Sequence, residues 1–235
     1  MSSVSILILR SHAVTQNYLL SSDTCREVSF MNSYYTDQYP YEFGWSLYCQ
    51  EQNENAEEIA DYLVHHHHLD TNTTYAILGN LTAESFLNPG QFGYHQGVTL
   101  TNSYGLAQWD PGTKFENYLI GQGIMPSQPN LENYQYQLDY LVTNAGQWNT
   151  VFVDMNTGYS SYYNCTVPIY PTMADFFADT QASLDDKTLA WMAYWERPQP
   201  GSNQTRIDYA NHWAGSISVF ALIWLLAKVA TRWRL

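Results

Sequence analysis

Positive charge is the scarcest commodity in this sequence. Nine Lys plus Arg stand against 22 Asp plus Glu over 235 residues, a formal net charge of −13. That balance argues against a nucleic-acid partner, because neutralising phosphates takes clustered Lys and Arg. Charge of either sign is sparse at 13%, about half the usual ~25%. Disorder is disfavoured too, since disordered chains are poor in aromatics and this one holds 16%. Cysteine is nearly absent. Cys25, Cys49 and Cys165 are an odd number, so at most one pair closes and one thiol is left over. A Cys25–Cys49 bridge and three free thiols are both allowed. The start, MSSVSILILR, places its Arg after a short apolar run rather than before a longer one, so no secretory signal is read there. No repeat of 20–50 residues is visible.

What is present is aromatic and polar without being charged. Twenty Tyr and eight Trp accompany many Asn and Gln, a surface that suits sugars, whose hydroxyls bond to amides and whose C–H faces stack on rings. The length fits one domain with appendages. Charge is uneven along the chain: residues 1–204 hold 21 acids and 5 bases, whereas 205–235 hold 4 bases and 1 acid. Composition divides the chain into three regions: an irregular or β-containing extension (1–52), a body (53–204) and a basic, apolar end (205–235).

Within the body, NENAEEIADYLVHHHH has acids early and apolar residues at helical spacing, which predicts a helix. DTNTTYAILGNLTAES predicts a second, capped by Asn72 or Thr73 and stopped by Asn88-Pro89-Gly90. A third is predicted over 131–145, a short piece after Pro171, and a last one behind the Ser183–Asp186 capping box, ended by Pro198. The body is expected to be mainly α.

Chemistry points to residues 75–115. Ile77, Leu81 and Glu84 share one helical face, so Glu84 emerges where the apolar face points, near the helix end. A desolvated carboxyl has a raised pKa, the state a general acid in glycoside hydrolysis needs. A solvated Glu at a helix end is the plainer alternative.

GNLTAESFLNPG (79–90), SYGLAQWDPGTKF (103–115) and AYWERP (193–198) occur in an order that resembles the phage tail lysozyme family. The resemblance covers about residues 53–200. It implies a lysozyme-like, α-rich (α+β) domain that cleaves the glycan strand of peptidoglycan without a cofactor, and it carries Glu84 over as the catalytic acid. Beside Glu84, Ser85 is a substrate-binding candidate, and Asn88-Pro89 would fix the helix end. Gly105 would allow a close approach. Gln108 suits an N-acetyl group or Glu84 itself. Tyr104 and Trp109 could stack on sugar, although buried rings are commoner. Asp110, where the family often has Thr, is either a second catalytic carboxylate or a turn residue ahead of Pro111-Gly112. With no second acid, lytic transglycosylase chemistry is the alternative to hydrolysis. Tyr194 and Glu196-Arg197-Pro198 are expected to hold a helix end, with a place on the cleft rim as the alternative.

Two features lie outside that pattern. Asp61 and His65 could face one ligand, but four consecutive His (65–68) cannot all point one way on a helix, so no metal site is expected. From Tyr209 to Ala227 no residue is formally charged, and Trp213 and Trp233 bracket a stretch that as a helix would be ~30 Å long, enough to span a membrane. Membrane contact through 209–235 and packing on a partner are both open. The expected protein is a virion-borne peptidoglycan glycosidase working beside other virion proteins at the host wall. The alternatives are a structural tail protein with an inactive lysozyme domain and a membrane-anchored wall remodeller.

Overall fold

The computed structural model describes residues 43–92 and 100–216. The chain divides between Glu51 and Gln52 into two compact units, and the second holds the body. The element order is α1 (Phe43–His65), α2 (Thr71–Ser85), α3 (Thr113–Gly121), α4 (Gln128–Leu131), α5 (Tyr134–Thr143), a 3-10 turn, a two-stranded hairpin, α6 (Met173–Ala178) and α7 (Leu184–Trp191). A π-turn, Met192–Glu196, continues α7, and a last helix, α8, begins at 203 and is described to 216. The hairpin pairs Tyr159 with Thr166 and Ser160 with Cys165, antiparallel. The unit is mainly α, as the sequence predicts.

α2 is the axis. Thr73 through Thr82 are all buried, so this helix is enclosed on every side rather than on one stripe. It packs most extensively on α7. On another side α8 crosses it at Gly79, where a Cβ would lie 2.7 Å from the Ala210 Cβ. Only glycine permits that approach. The α2 cap is Asp70, whose Oδ1 accepts from the Thr73 N–H at 3.1 Å. Asp70 takes the place expected of Asn72 or Thr73 because an ionised carboxylate suits the positive end of a helix better than an amide or hydroxyl. Ser183 does cap α7, accepting from the Asp186 N–H at 3.1 Å. α1 begins at Phe43, inside the segment expected to be irregular.

Around this axis the core is aromatic. Trp191 stacks on Trp195 at 5.2 Å and Trp148 on Tyr194 at 4.9 Å. Lys187 is fully buried; its Nζ donates to the Phe176 carbonyl and sits 4.3 Å over that ring. Trp213, expected to mark a membrane interface, is instead 3% exposed and donates from Nε1 to Thr82 Oγ1 at 2.8 Å. The N–H finds a partner in the core, which draws the ring inward. Among the described residues no helix is long and apolar enough to cross a membrane. The remainder of the apolar end, 217–235, lies outside them, as do Cys25 and the Cys49 side chain. Cys165 is half-buried with a free thiol.

Candidate active site

Helix α2 ends abruptly. Phe86 and Leu87 both take left-handed backbone, at φ 55° and 62°, which side-chain-bearing residues adopt only when packing holds them there. Leu87 is fully buried, and Asn88 Oδ1 accepts from the Gly90 N–H at 2.9 Å to set the turn. Glu84 sits on the last turn before this stop.

Glu84 is not in an apolar pocket. Arg206, from α8, donates from Nη2 to its Oε1; the Glu84 side chain is 20% exposed and that of Arg206 3%. The same guanidinium donates from Nη1 to Asn80 Oδ1 at 2.9 Å and from Nε to Ser202 Oγ at 3.1 Å. Asn80, one turn before Glu84, donates in turn to the Thr188 carbonyl at 3.1 Å and so ties the pair to α7. Gly79 brings α8 close enough for Arg206 to reach two residues of α2 at once.

A second carboxyl faces the same space. The π-turn widens the end of α7, with the Arg197 N–H donating to the Met192 carbonyl at 2.8 Å, five residues back. Such turns often re-aim a functional side chain. Glu196, half-buried, accepts from Trp191 Nε1 at 3.2 Å. Its carboxyl is held well above the usual carboxylate range, first by burial and then by the like charge of Glu84, against the opposing pull of Arg206, the Trp191 bond and Arg197.

The two carboxyls line a cleft of about 240 Å³ whose walls also include Gln108, Trp109, Asp110, Lys114, Gln147, Trp195 and Arg197. The stretch 107–110, which lines the cleft, belongs to a loop tied to α5. Gln137, fully buried, accepts from the Leu106 N–H at 2.7 Å and donates to the carbonyls of Pro89 and Leu131, each at 2.7 Å. Gly105, at φ 81°, leaves no room for a side chain, since a Cβ would meet Gln137 Oε1 at 2.7 Å. Tyr104 and Trp109 close a tight loop by exchanging backbone bonds of 3.1 and 3.0 Å.

Against the sequence reading, Glu84, Asp110, Gln108 and Trp109 come together at the cleft, and Ser85 and Tyr104 do not line it. Ser85 is fully buried, its hydroxyl donating to the Leu81 carbonyl at 3.2 Å; the residue after Glu84 turns 100° about the helix and into the core. Tyr104 is 2% exposed and packs on Phe92 at 4.8 Å. Gln108 is less free than expected, because its Nε2 donates to the carbonyls of Gly105 and Gln91 at 2.9 and 3.1 Å. Asp110 stands exposed at the rim. Trp109 stacks inward on Phe115 at 5.2 Å and lends the cleft only part of its ring. Glu196, for which a place on the cleft rim was the alternative to holding a helix end, lines the cleft, whereas Trp195 beside it and Arg206 behind Glu84 were not foreseen. The Gly79-Asn80 pair one turn before Glu84 is the signal that could have located Arg206.

Comparison with known proteins agrees with this geometry. The phage tail lysozyme family matches residues 54–217. This chain belongs to the phage tail lysozyme family. The matched span takes in α8 and so Arg206. Morphogenesis protein 1 of Bacillus phage B103 is 24% identical over 167 residues, which is 71% of this chain and 40% of that protein. The chain thus spans well under half the length of that relative. As a family member it is lysozyme-like and belongs with phage proteins.

Proposed function

We propose that this chain is a virion-associated glycosidase that cleaves the N-acetylmuramic acid–N-acetylglucosamine strand of peptidoglycan during entry, with Glu84 as proton donor. The observation that carries the reading is the carboxyl pair in one cleft with a single buried guanidinium. Arg206 is already bonded to Glu84, so a second ionised carboxylate at Glu196 would bring like charge into a largely desolvated corner, and a proton there relieves it. Glu196, raised by burial and by the charge of Glu84, therefore holds a proton at pH values where an isolated Glu has lost it, and relays it to Glu84. Glu84, on the rigid end of α2, delivers that proton to the glycosidic oxygen as positive charge grows on the sugar ring. The remaining carboxylate then steadies the oxocarbenium-like state. Asp110, exposed at the cleft, activates water; if it serves only the turn, an internal hydroxyl of the substrate closes an anhydro ring instead.

A second reading exchanges the roles of the pair. It is favoured by the burial of Glu196, which pushes that carboxyl well above the usual carboxylate range, and by the Arg206 bond to Glu84. Clearing of purified cell walls by Glu84→Gln and Glu196→Gln tests both readings. Loss of a general acid costs about 10²–10⁴ in rate. The variant that still cleaves a nitrophenyl glycoside, whose leaving group needs no proton, identifies the donor. Equal clearing by wild type and both variants would remove both carboxyls from catalysis, and no clearing even by the wild type would mean a structural tail protein with a silent lysozyme domain. Product masses separate hydrolysis from 1,6-anhydro formation.

Delivery by a particle suits the charge. A region carrying 21 acids and 5 bases over residues 1–204 is repelled by an anionic wall, so attachment to other virion proteins, rather than free diffusion, brings it to substrate.

A further inference from the structure

The histidine run is used by nothing in the cleft, yet its geometry is specific. α1 ends at His65, and His68 takes left-handed backbone at φ 57°. His66 and His67 therefore leave helical geometry, and the rule that neighbouring helical side chains diverge no longer binds them. His65 turns back to Asp61, its Nδ1 2.9 Å from Oδ1. His66 and His67 instead converge on Asp139 of α5: the Nε2 atoms lie 3.9 and 2.9 Å from Asp139 Oδ1. One ligand atom from each of the three lies within 4.8 Å of the others.

We propose that His66, His67 and Asp139 form a binding site for a divalent transition ion of the zinc type, clipping the end of α1 to α5. Two imidazole nitrogens and one carboxylate oxygen are the donor set such ions prefer, with water completing a tetrahedron. Bonds of 2.0–2.1 Å to a tetrahedral ion set its ligands about 3.3 Å apart. The two distances to Asp139 straddle that value and the three ligand atoms lie within 4.8 Å of one another, so a rotation of His66 toward the other two closes the set around an ion. The supports that hold ligands in place are also present. Tyr62 donates from its hydroxyl to Asp139 Oδ1 at 2.9 Å, stacks on the His66 ring at 4.5 Å and meets the His67 ring edge-on at 5.4 Å.

Calorimetric titration of the full chain with Zn²⁺, paired with the visible spectrum of the Co²⁺ complex, tests the site. One ion per chain is expected, with a tetrahedral cobalt band. His67→Ala and Asp139→Asn should each weaken binding by more than the roughly 10–100-fold typical of losing a supporting residue. Tyr62→Phe should fall within that range. His66 is largely exposed, at 58%, so His66→Ala leaves the fold intact and still abolishes the cobalt band. The double variant His65→Ala, His68→Ala should bind as wild type does. Absence of binding, binding that survives both His66→Ala and His67→Ala, or equal loss in the double variant (a run of histidines chelating without geometry) overturns the proposal.

Discussion

Each wall of the cleft hangs on one buried polar side chain, and the two work differently. Arg206, 3% exposed, gathers side chains: Glu84, Asn80 and Ser202. Gln137, fully buried, gathers backbone: the Leu106 N–H and the carbonyls of Pro89 and Leu131. The first wall fixes charges and the second fixes the path of a loop. Ionisable groups need a counter-charge whose removal is felt in their proton affinity, whereas a loop needs only that its peptide groups be satisfied. Proton affinity and stability are therefore coupled on the Arg206 side and separable on the Gln137 side.

Arg206→Met should break the comparison most violently. It removes the only described cation bonded to Glu84 and leaves two carboxyls facing each other, with an expected loss of about 3–5 kcal/mol, the usual cost of orphaning a buried partner. Urea denaturation measures this directly. The same variant should move the alkaline limb of the activity profile upward, because Arg206 now pulls the Glu196 pKa down. A loss below ~1 kcal/mol would mean the pair behaves as a surface salt bridge. Gln137→Leu comes next: the buried Leu106 N–H loses its partner at a cost of about 1–3 kcal/mol, while the part-buried carbonyls of Pro89 and Leu131 turn to water. Wall clearing should fall while the pH limb stays in place. A shifted limb in this variant would show the two walls to be electrically linked after all.

How far the sequence predicted these walls depends on the range of the interaction. α2, α5, α6 and α7 were legible because spacing and capping are local, whereas α3 was not foreseen, and the close approach expected at Gly105 was found. Glu84 and the Gly79-Asn80 motif were visible as pattern, but the expected reason, desolvation on an apolar face, was not the one found. α2 is buried on all sides, so helical periodicity says nothing about which of its residues meets a cleft. The partner that matters, Arg206, lies 122 residues away, in a segment whose charge and hydropathy suggested a tail. Ser85 and Tyr104 were drawn in by their neighbours in sequence, yet an adjacent residue on a helix or tight loop faces elsewhere. The π-turn that directs Glu196 has no compositional signature.

Glu196→Gln offers a gentler probe of the charged wall. A carboxyl whose pKa is raised on folding contributes stability that is complete below its unfolded value, about 4.3, and is lost as pH rises through the folded value. The wild type should thus weaken progressively from acid toward neutral pH on this account. Glutamine has no proton to lose, so the variant should show a flatter profile and gain on the wild type as pH rises. Unfolding free energies measured from pH 4 to 8 decide it, and parallel profiles would remove Glu196 from the proton-holding pair.

The smallest effect is expected at Ser85, immediately beside Glu84 in sequence. Its hydroxyl is spent on the Leu81 carbonyl, at 3.2 Å and within its own helix. That carbonyl is in the helix interior, so Ser85→Ala frees no buried donor and leaves a methyl that fits the same space. Stability should change by no more than about 0.5 kcal/mol and kcat/KM should be unaltered, because alanine regains in helix propensity what the weak bond supplied. If kcat/KM instead falls tenfold with stability unchanged, the hydroxyl must swing toward substrate during turnover. The end of α2 would then open in use, and the division between a charged wall and a structural one would have to be redrawn through that helix.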